Sequence, residues 1–200
     1  MEAWVSSANT HMLRPQTIVH AAWITLGLYW FFSALDTKKT AVNEATGSRI
    51  FRLAVMWPFI ILLMTTHWLR IGPLAQRFLP QTSSVIWAGV GLTCLGVALA
   101  IWARWNLGRN WSDKVVVKVD HELIRSGPYR FLRHPIYTGV LLAIAGTALM
   151  IGEGRGLVAL VLLAGIYYVK ARREEKILAA NFGEAFAEHK GRTGFFLPGL

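Results

Sequence analysis

Five apolar segments, separated by polar stretches, constrain the fold of this chain more than any other feature of its sequence. A helix needs about 20 predominantly apolar residues to cross a bilayer, with a range of about 17–25. The last segment is short on that scale, so it is predicted to pair with the fourth as a hairpin through a glycine-rich turn, and its helix can continue into the polar tail. The segments cover residues 18–35, 53–69, 85–105, 135–151 and about 157–169.

The composition supports a membrane environment rather than water. Only 16% of the residues are charged, whereas a soluble domain carries about 25%. The single cysteine, Cys94, excludes an intrachain disulfide and a cysteine-rich metal site. We therefore expect residues 1–200 to form a single membrane domain, with the first three spans in residues 1–105 and the last two in residues 106–200.

The distribution of positive charge predicts how the chain is oriented. With five spans, the side that holds the N-terminus carries only four of the 21 Lys and Arg residues, namely Arg14, Arg70, Arg77 and Arg155. Cytoplasmic loops are enriched in Lys and Arg, so the opposite side and the C-terminus are predicted to be cytoplasmic. A net charge of +10 would otherwise suggest nucleic acid. These charges lie at the ends of apolar runs, so no nucleic-acid partner is expected.

A cluster of functional side chains is predicted where the fourth span begins. Proline has no N–H and a fixed φ, which suits the first helical position, so Pro135 is predicted to start the span. Arg133 and His134 then lie at the membrane surface, and Tyr137 lies in the first turn. Because a helix N-terminus attracts anions, the place suits a carboxylate of a cofactor or a substrate.

A second charged group, residues 172–176, directly follows the fifth span. The hairpin should bring it close to residues 133–137. Consecutive residues of a helix point about 100° apart, so one of Glu174 and Glu175 is expected to face Arg133 and the other to face water.

Each of these features also has a simpler structural interpretation. A His-Pro pair can be merely a helix cap, and Glu174 can form a surface pair with Lys170, four residues away. Basic residues at span ends usually contact lipid headgroups, and that interpretation is preferred for Arg104, Arg109, Lys170 and Arg172.

Several common catalytic and nucleotide-binding motifs do not occur in the sequence. It has no G-x-G-x-x-G after a strand and no G-x-x-x-x-G-K-[ST], so a Rossmann unit and a P-loop are excluded. It also has no H-E-x-x-H and no G-x-S-x-G, and no metal site is expected.

Residues 121–137 match at every position the pattern [KH]-E-L-[VI]-x-x-G-P-Y-x-x-x-R-H-P-x-Y. This pattern resembles the cofactor-binding signature of the isoprenylcysteine carboxyl methyltransferase family. The resemblance extends over about residues 100–200 and includes residues 106–112, the Glu174-Glu175 pair, Phe182-Gly183 and the ending with Arg192, Thr193 and Pro198. The chain departs from the family at Phe186 and His189, where relatives often have Tyr.

The resemblance implies an all-α integral membrane bundle with a cytoplasmic region that binds S-adenosylmethionine. Its acceptor would be a lipid or lipid-linked carboxylate, such as isoprenylcysteine, reaching the site from the bilayer. Arg133, Glu174 and Glu175 would be catalytic. The residues implied to bind the cofactor are His121, Glu122, Leu123, Ile124, Gly127, Tyr129, His134, Pro135 and Tyr137.

The acceptor decides which mechanism is needed. A carboxylate is ionised near pH 7 because its pKa lies near 4, so methyl transfer to it needs alignment but no general base. An amine acceptor would need a base, for which Glu174 or Glu175 is the candidate. The alternatives are a phospholipid N-methyltransferase, an NADPH-dependent sterol-type reductase and a membrane binding protein without activity. The sequence leaves the oligomeric state open.

Overall fold

A computed structural model describes residues 14–35, 72–108 and 123–199 of the chain. Within these ranges the structure is helical, and the β-pairing is limited to two isolated bridges, Arg77 with Glu153 and Leu132 with Gly194. Two short 3-10 helices, Gly72–Ala75 and Gly127–Arg130, lie between the longer elements. The described α-helices are α1 (Pro15–Leu35), α2 (Ser83–Leu107), α3 (Pro135–Ile151) and α4 (Gly154–Arg192).

Four of the five apolar segments form the helices that the sequence predicts. α1, α2 and α3 contain the segments at 18–35, 85–105 and 135–151, and the segment at 53–69 lies outside the described residues. The fifth segment begins α4, which continues for 39 residues into the polar tail. By length and composition, α2 and α4 are able to cross a membrane, and α3 is a shorter apolar helix.

The turn between α3 and α4 has the form of the predicted hairpin. Gly152 ends α3 with φ 68°, and its N–H donates to the carbonyl of Ala148 over 2.8 Å. Glycine favours this left-handed conformation because it has no Cβ. Glu153 then occupies the N-cap position of α4 without a capping side-chain hydrogen bond, and the short turn makes α3 and α4 run side by side in opposite directions.

Glycines let α2 and α3 approach each other closely. A Cβ placed on Gly96 would overlap the backbone nitrogen of Ala143, and one on Gly139 would lie 2.6 Å from that of Ala100. Gly89 and Gly146 form a second close approach of the same two helices, since a Cβ on Gly89 would lie 2.7 Å from the carbonyl oxygen of Gly146. Small residues at such an interface let helix backbones pack directly, which drives helix association in a bilayer.

We expect Gly96→Ala to lower the melting temperature of the detergent-solubilised protein. The added methyl group would overlap the α3 backbone, and overpacking of this kind costs about 1–3 kcal/mol or more. Gly91→Ala is the matched control, because it lies in the same helix and its added Cβ would meet no atom within 4 Å. Equal melting temperatures for the two variants would contradict the close packing of α2 and α3.

Arg104 is not the headgroup contact that its place near a span end suggested. Its side chain is buried, with 2% exposed, and its Nη1 and Nη2 donate to the carbonyls of Gly108 (2.7 Å) and Ser33 (2.5 Å). The last carbonyls of a helix lack partners within the helix. Arg104 therefore bonds to main-chain oxygens at the ends of both α1 and α2, and the topology interpretation is wrong for this residue.

The C-terminal segment, residues 193–199, returns to the start of α3. Gly183 interrupts α4 with φ 49° and ψ −120°, which kinks the helix. The backbone of Arg133 then donates to Gly194 over 2.9 Å, and the Thr138 hydroxyl donates to the Phe196 carbonyl over 2.9 Å. The C-terminal segment thus lies over the place where the sequence predicts a site.

Candidate active site

Arg133 is held by α4 and by the C-terminal segment. Its Nε donates to Oε1 of Glu175 over 2.6 Å, and its Nη1 donates to the carbonyls of Lys190 (3.2 Å) and Thr193. The pairing of Arg133 with a carboxylate of the 172–176 group confirms that the hairpin brings the two charged regions together. A charge-assisted bond of this length fixes the orientation of the guanidinium.

Glu175 is the most enclosed carboxylate of this group, with 5% of its surface exposed. Burial alone would raise its pKa, but the imidazole of His134 and the guanidinium of Arg133 lower that pKa to about 2. Arg172 and Lys190 lie 3.4 and 3.8 Å from its Oε2. Glu175 is therefore a fixed negative charge at neutral pH.

Glu174 also turns toward α3, which makes the expectation that one glutamate faces water wrong. Its Oε1 accepts a 2.5 Å hydrogen bond from the Tyr137 hydroxyl, and its Oε2 lies 3.6 Å from Nδ1 of His134. The Nε2 of His134 lies 3.6 Å from Oε1 of Glu175. Glu174 and Glu175 point about 100° apart around the axis of α4, so both can reach α3 when it packs between them, about 50° from each. His134, Tyr137, Glu174, Glu175 and Arg133 therefore form one group, which we call the charged cluster.

Aromatic rings surround the charged cluster. The rings of His134 and Tyr137 stack with centroids 5.6 Å apart, and Tyr137 stacks on Tyr167 at 4.8 Å. Phe195, from the C-terminal segment, packs edge-on against His134 at 5.0 Å. Aromatic faces attract cations, so this environment is compatible with a positively charged group such as a sulfonium.

Tyr167 and Phe195 were not predicted from the sequence as neighbours of the site. A signal for Tyr167 was present, because it precedes Glu174 by seven residues, which places the two on the same face of a helix. Phe195 gave no such signal, since its place depends on the return of the C-terminal segment.

A cavity of about 70 Å³, which we call the inner cavity, lies beside Arg133. It brings together Leu123, Ile124 and Tyr129, three of the residues implied to bind the cofactor. The size fits only part of a nucleoside-sized ligand, since small-molecule sites measure roughly 300–1,000 Å³. His121 and Glu122 lie outside the described residues. The other lining residues are Leu107, Leu178, Phe186 and His189, so both positions that depart from the family pattern face this cavity.

Gly127 and Pro135 shape the backbone next to the cavity. Gly127 has φ 56°, a conformation that other residues rarely adopt, and a Cβ there would require the Asn106 side chain to move. Pro135 is the first residue of α3, as predicted. Tyr129 follows in the short 3-10 helix, where burial and the nearby charge of Glu174 raise its pKa. The Tyr129 hydroxyl therefore stays protonated at neutral pH.

The depressed pKa of Glu175 predicts how stability responds to acid. A carboxyl whose pKa is lowered on folding stabilises the protein above its unfolded pKa, near 4.5, and that contribution is lost as the pH falls toward about 2. We expect the unfolding midpoint to drop over this interval, with a smaller drop in Glu175→Gln. A drop of the same size in both proteins would show that other carboxyl groups cause it.

The comparisons with known proteins agree with the fold and the motif. The profile of the family described as phospholipid methyltransferase matches residues 84–185, about half of the chain. Human protein-S-isoprenylcysteine O-methyltransferase is 31% identical over 187 residues, which is 90% of this chain and 65% of the human protein. The corresponding Schizosaccharomyces pombe enzyme is 27% identical over 114 residues, 56% of this chain and 48% of that protein. The cobalt-zinc-cadmium resistance protein CzcN of Cupriavidus metallidurans is 38% identical over 112 residues, 54% of this chain and 49% of that protein.

A solved structure has the same fold. The eukaryotic intramembrane Ras methyltransferase, an isoprenylcysteine carboxyl methyltransferase, superposes with a TM-score of 0.60 at 19% identity, covering 94% of this chain and 69% of that one. The chain spans about half the length of several of the curated relatives it matches. The family profile, the relatives and the shared fold confirm the resemblance seen in residues 121–137. The chain is an integral membrane protein that belongs to the phospholipid methyltransferase family, and its fold is that of the solved isoprenylcysteine carboxyl methyltransferase.

Proposed function

We propose that this protein is a membrane methyltransferase that uses S-adenosylmethionine to methylate a carboxylate of a lipid-linked acceptor such as isoprenylcysteine. The observation that carries this proposal is the Arg133–Glu175 pair, in which a guanidinium oriented by a carboxylate lines the inner cavity. The names of the curated relatives support the same chemistry.

We assign the parts of the cofactor to residues of the inner cavity and of the neighbouring charged cluster. Leu123 and Ile124 offer an apolar surface for the adenine, and Tyr129 closes the wall beside them. The stacked rings of His134 and Tyr137 would lie near the methionine part. When bound, the cofactor supplies an electrophilic methyl group, and the protein's task is to align the acceptor with it and to exclude water.

Arg133 is the group that we assign to the acceptor carboxylate. Its Nε and Nη1 already donate to Glu175 and to main-chain carbonyls, so Nη2 is the nitrogen that we expect to bind the acceptor. The carboxylate needs no deprotonation, and the fixed charge of Glu175 keeps the guanidinium in place. Under this proposal Glu175 positions Arg133 and does not act as a base.

The acceptor's lipid chain would stay in the bilayer. α4 exposes apolar side chains up to the level of the cluster, including Val161, Tyr168 and Val169, and Tyr168 contacts Phe195 with ring centroids 5.5 Å apart. We propose that the acceptor approaches along this face. Residues 106–200 would form the catalytic part, with the C-terminus in the cytoplasm as the charge distribution predicts.

Phospholipid N-methylation is the second candidate function. Glu174 favours it, because this carboxylate has 23% of its side chain exposed and lies next to the Tyr137 hydroxyl and His134. It is therefore placed to accept a proton from an amine. The matching family profile is described as phospholipid methyltransferase, which supports a phospholipid acceptor.

A methyl-transfer screen separates these functions. The full chain in detergent receives S-adenosylmethionine with a labelled methyl group, together with prenylcysteine analogues, fatty acids or aminophospholipids. We expect base-labile labelled ester with a prenylcysteine analogue, because carboxyl methyl esters hydrolyse in base. Label found only in aminophospholipid would favour N-methylation, and no labelled product with any acceptor would contradict a methyltransferase.

A further inference from the structure

A second cavity, with a volume of about 280 Å³, shares the lining residue His189 with the inner cavity. We call it the basic cavity. The proposed methyl transfer does not use it. Its described lining residues are Arg125, Arg130, Glu188, His189, Arg192 and Thr193.

The charges around the basic cavity are unbalanced. Three arginines face one carboxylate, Glu188, which lies 3.5 Å from Arg125 and 2.9 Å from Arg192. One glutamate neutralises one positive charge, so the described lining keeps an excess of two. Arginine presents a planar set of donors that matches the oxygens of a phosphate.

Two features make the basic cavity more ordered than a patch of exposed arginines. Nη2 of Arg125 donates to the Ala185 carbonyl over 2.7 Å, which fixes the direction of this side chain. His189 and Thr193 are buried and form part of the wall, and the Thr193 hydroxyl bonds to the His189 carbonyl over 2.7 Å.

The electrostatics of His189 indicate a positive potential in this region. Burial lowers the pKa of its imidazole, and the positive charges of Arg125 and Arg133 lower it further. The other charged groups that line the basic cavity with it are Arg130, Glu188 and Arg192. Burial disfavours any charge there, but the two arginine charges that disfavour a proton on His189 would attract an anion.

With the C-terminal part of the chain in the cytoplasm, as proposed above, the basic cavity would lie near the lipid headgroups. Arg130 and Phe131 lie just before α3, and Phe131 has 57% of its surface exposed. An aromatic side chain beside basic residues at the end of an apolar helix is typical of the membrane interface. A phosphate there would lie next to the charged cluster, within reach of a lipid held in the bilayer.

We propose that the basic cavity binds a phosphate group, carried either by the headgroup of an anionic phospholipid or by a free phosphate ion. Its volume is several times the ~30 Å³ that one water molecule occupies in the liquid, which leaves room for the phosphate and the atoms attached to it. Arg125, Arg130 and Arg192 would donate to the phosphate oxygens. This inference stands apart from the proposed carboxylate methylation, because that proposal gives Arg125, Arg130 and Arg192 no role.

Calorimetric titration of the full chain in neutral detergent tests the proposal without any activity measurement. The probes are dihexanoylphosphatidylglycerol below its micelle concentration and inorganic phosphate. Arg125→Gln and Arg130→Gln are compared with Arg173→Gln, which removes the same charge from an exposed position of α4 outside the cavity. Melting temperatures without ligand establish whether each variant is folded. If Arg125→Gln does not fold, the comparison of Arg130→Gln with Arg173→Gln tests the proposal.

We expect wild type and Arg173→Gln to bind alike, and the two cavity variants to bind about tenfold more weakly, as befits loss of a charged hydrogen bond. Binding of the lipid alone would identify a headgroup site, and binding of both probes would identify a site for free phosphate as well. No binding of either probe, or equal binding in all variants, would overturn the proposal.

Discussion

Replacing Arg133 by alanine is expected to lower kcat/KM for methyl transfer by at least about 10²–10³-fold, the usual effect of removing one preorganised donor from a reaction centre. The substitution would remove the proposed contact to the acceptor carboxylate and leave the negative charge of Glu175 facing it. Arg133→Lys keeps the charge but loses the planar set of donors, so only partial activity should return. Initial rates with labelled cofactor over a range of acceptor concentrations measure both variants.

Arg173→Ala is the matched control for Arg133→Ala, because it removes one arginine charge from an exposed position of α4 next to Glu174. It should retain wild-type rates. Since Arg133 also bonds to the carbonyl of Thr193, membrane insertion and melting temperature need to be compared in parallel. A folded Arg133→Ala protein with wild-type kcat/KM would show that Arg133 is only a charge at the membrane surface.

Glu175→Gln is expected to destabilise the protein by about 3–5 kcal/mol, the usual cost of removing one partner from a buried ion pair. The glutamine keeps the shape but not the charge, so Arg133 would lose the charged acceptor of its 2.6 Å bond. His134 would lose the nearby negative charge as well. Activity should fall together with stability, because the guanidinium would no longer be oriented.

Glu174→Gln serves as the comparison for Glu175→Gln. Glu174 has 23% of its side chain exposed against 5% for Glu175, and an amide oxygen can still accept the bond from Tyr137. Its effect on stability should therefore be clearly smaller in equilibrium unfolding in mixed detergent. Equal losses for the two variants would contradict the distinct roles assigned to the two glutamates.

The helices could be predicted well from the sequence, for a physical reason. A bilayer requires runs of apolar residues of nearly fixed length, and proline and glycine mark their ends at Pro135 and Gly152. The approach of Glu175 to Arg133 followed from the hairpin alone, since a short turn forces neighbouring helices together.

The features that escaped prediction depend on contacts between distant parts of the chain. Whether Arg104 faces lipid or the ends of α1 and α2 depends on how the helices rotate about their axes. The direction of Glu174 toward α3 depends on the same rotation. The angle of about 100° between consecutive helical residues does not by itself determine that rotation. Phe195 reaches His134 only because the kink at Gly183 turns the chain back.

Calorimetric titration of the purified full chain with S-adenosylmethionine, and separately with NADPH, tests the central claim most directly. We predict saturable binding of S-adenosylmethionine near one equivalent and no binding of NADPH, with weaker S-adenosylmethionine binding when Ile124→Asp places a charge in the wall of the inner cavity. Binding of NADPH without binding of S-adenosylmethionine would contradict the claim and favour a reductase.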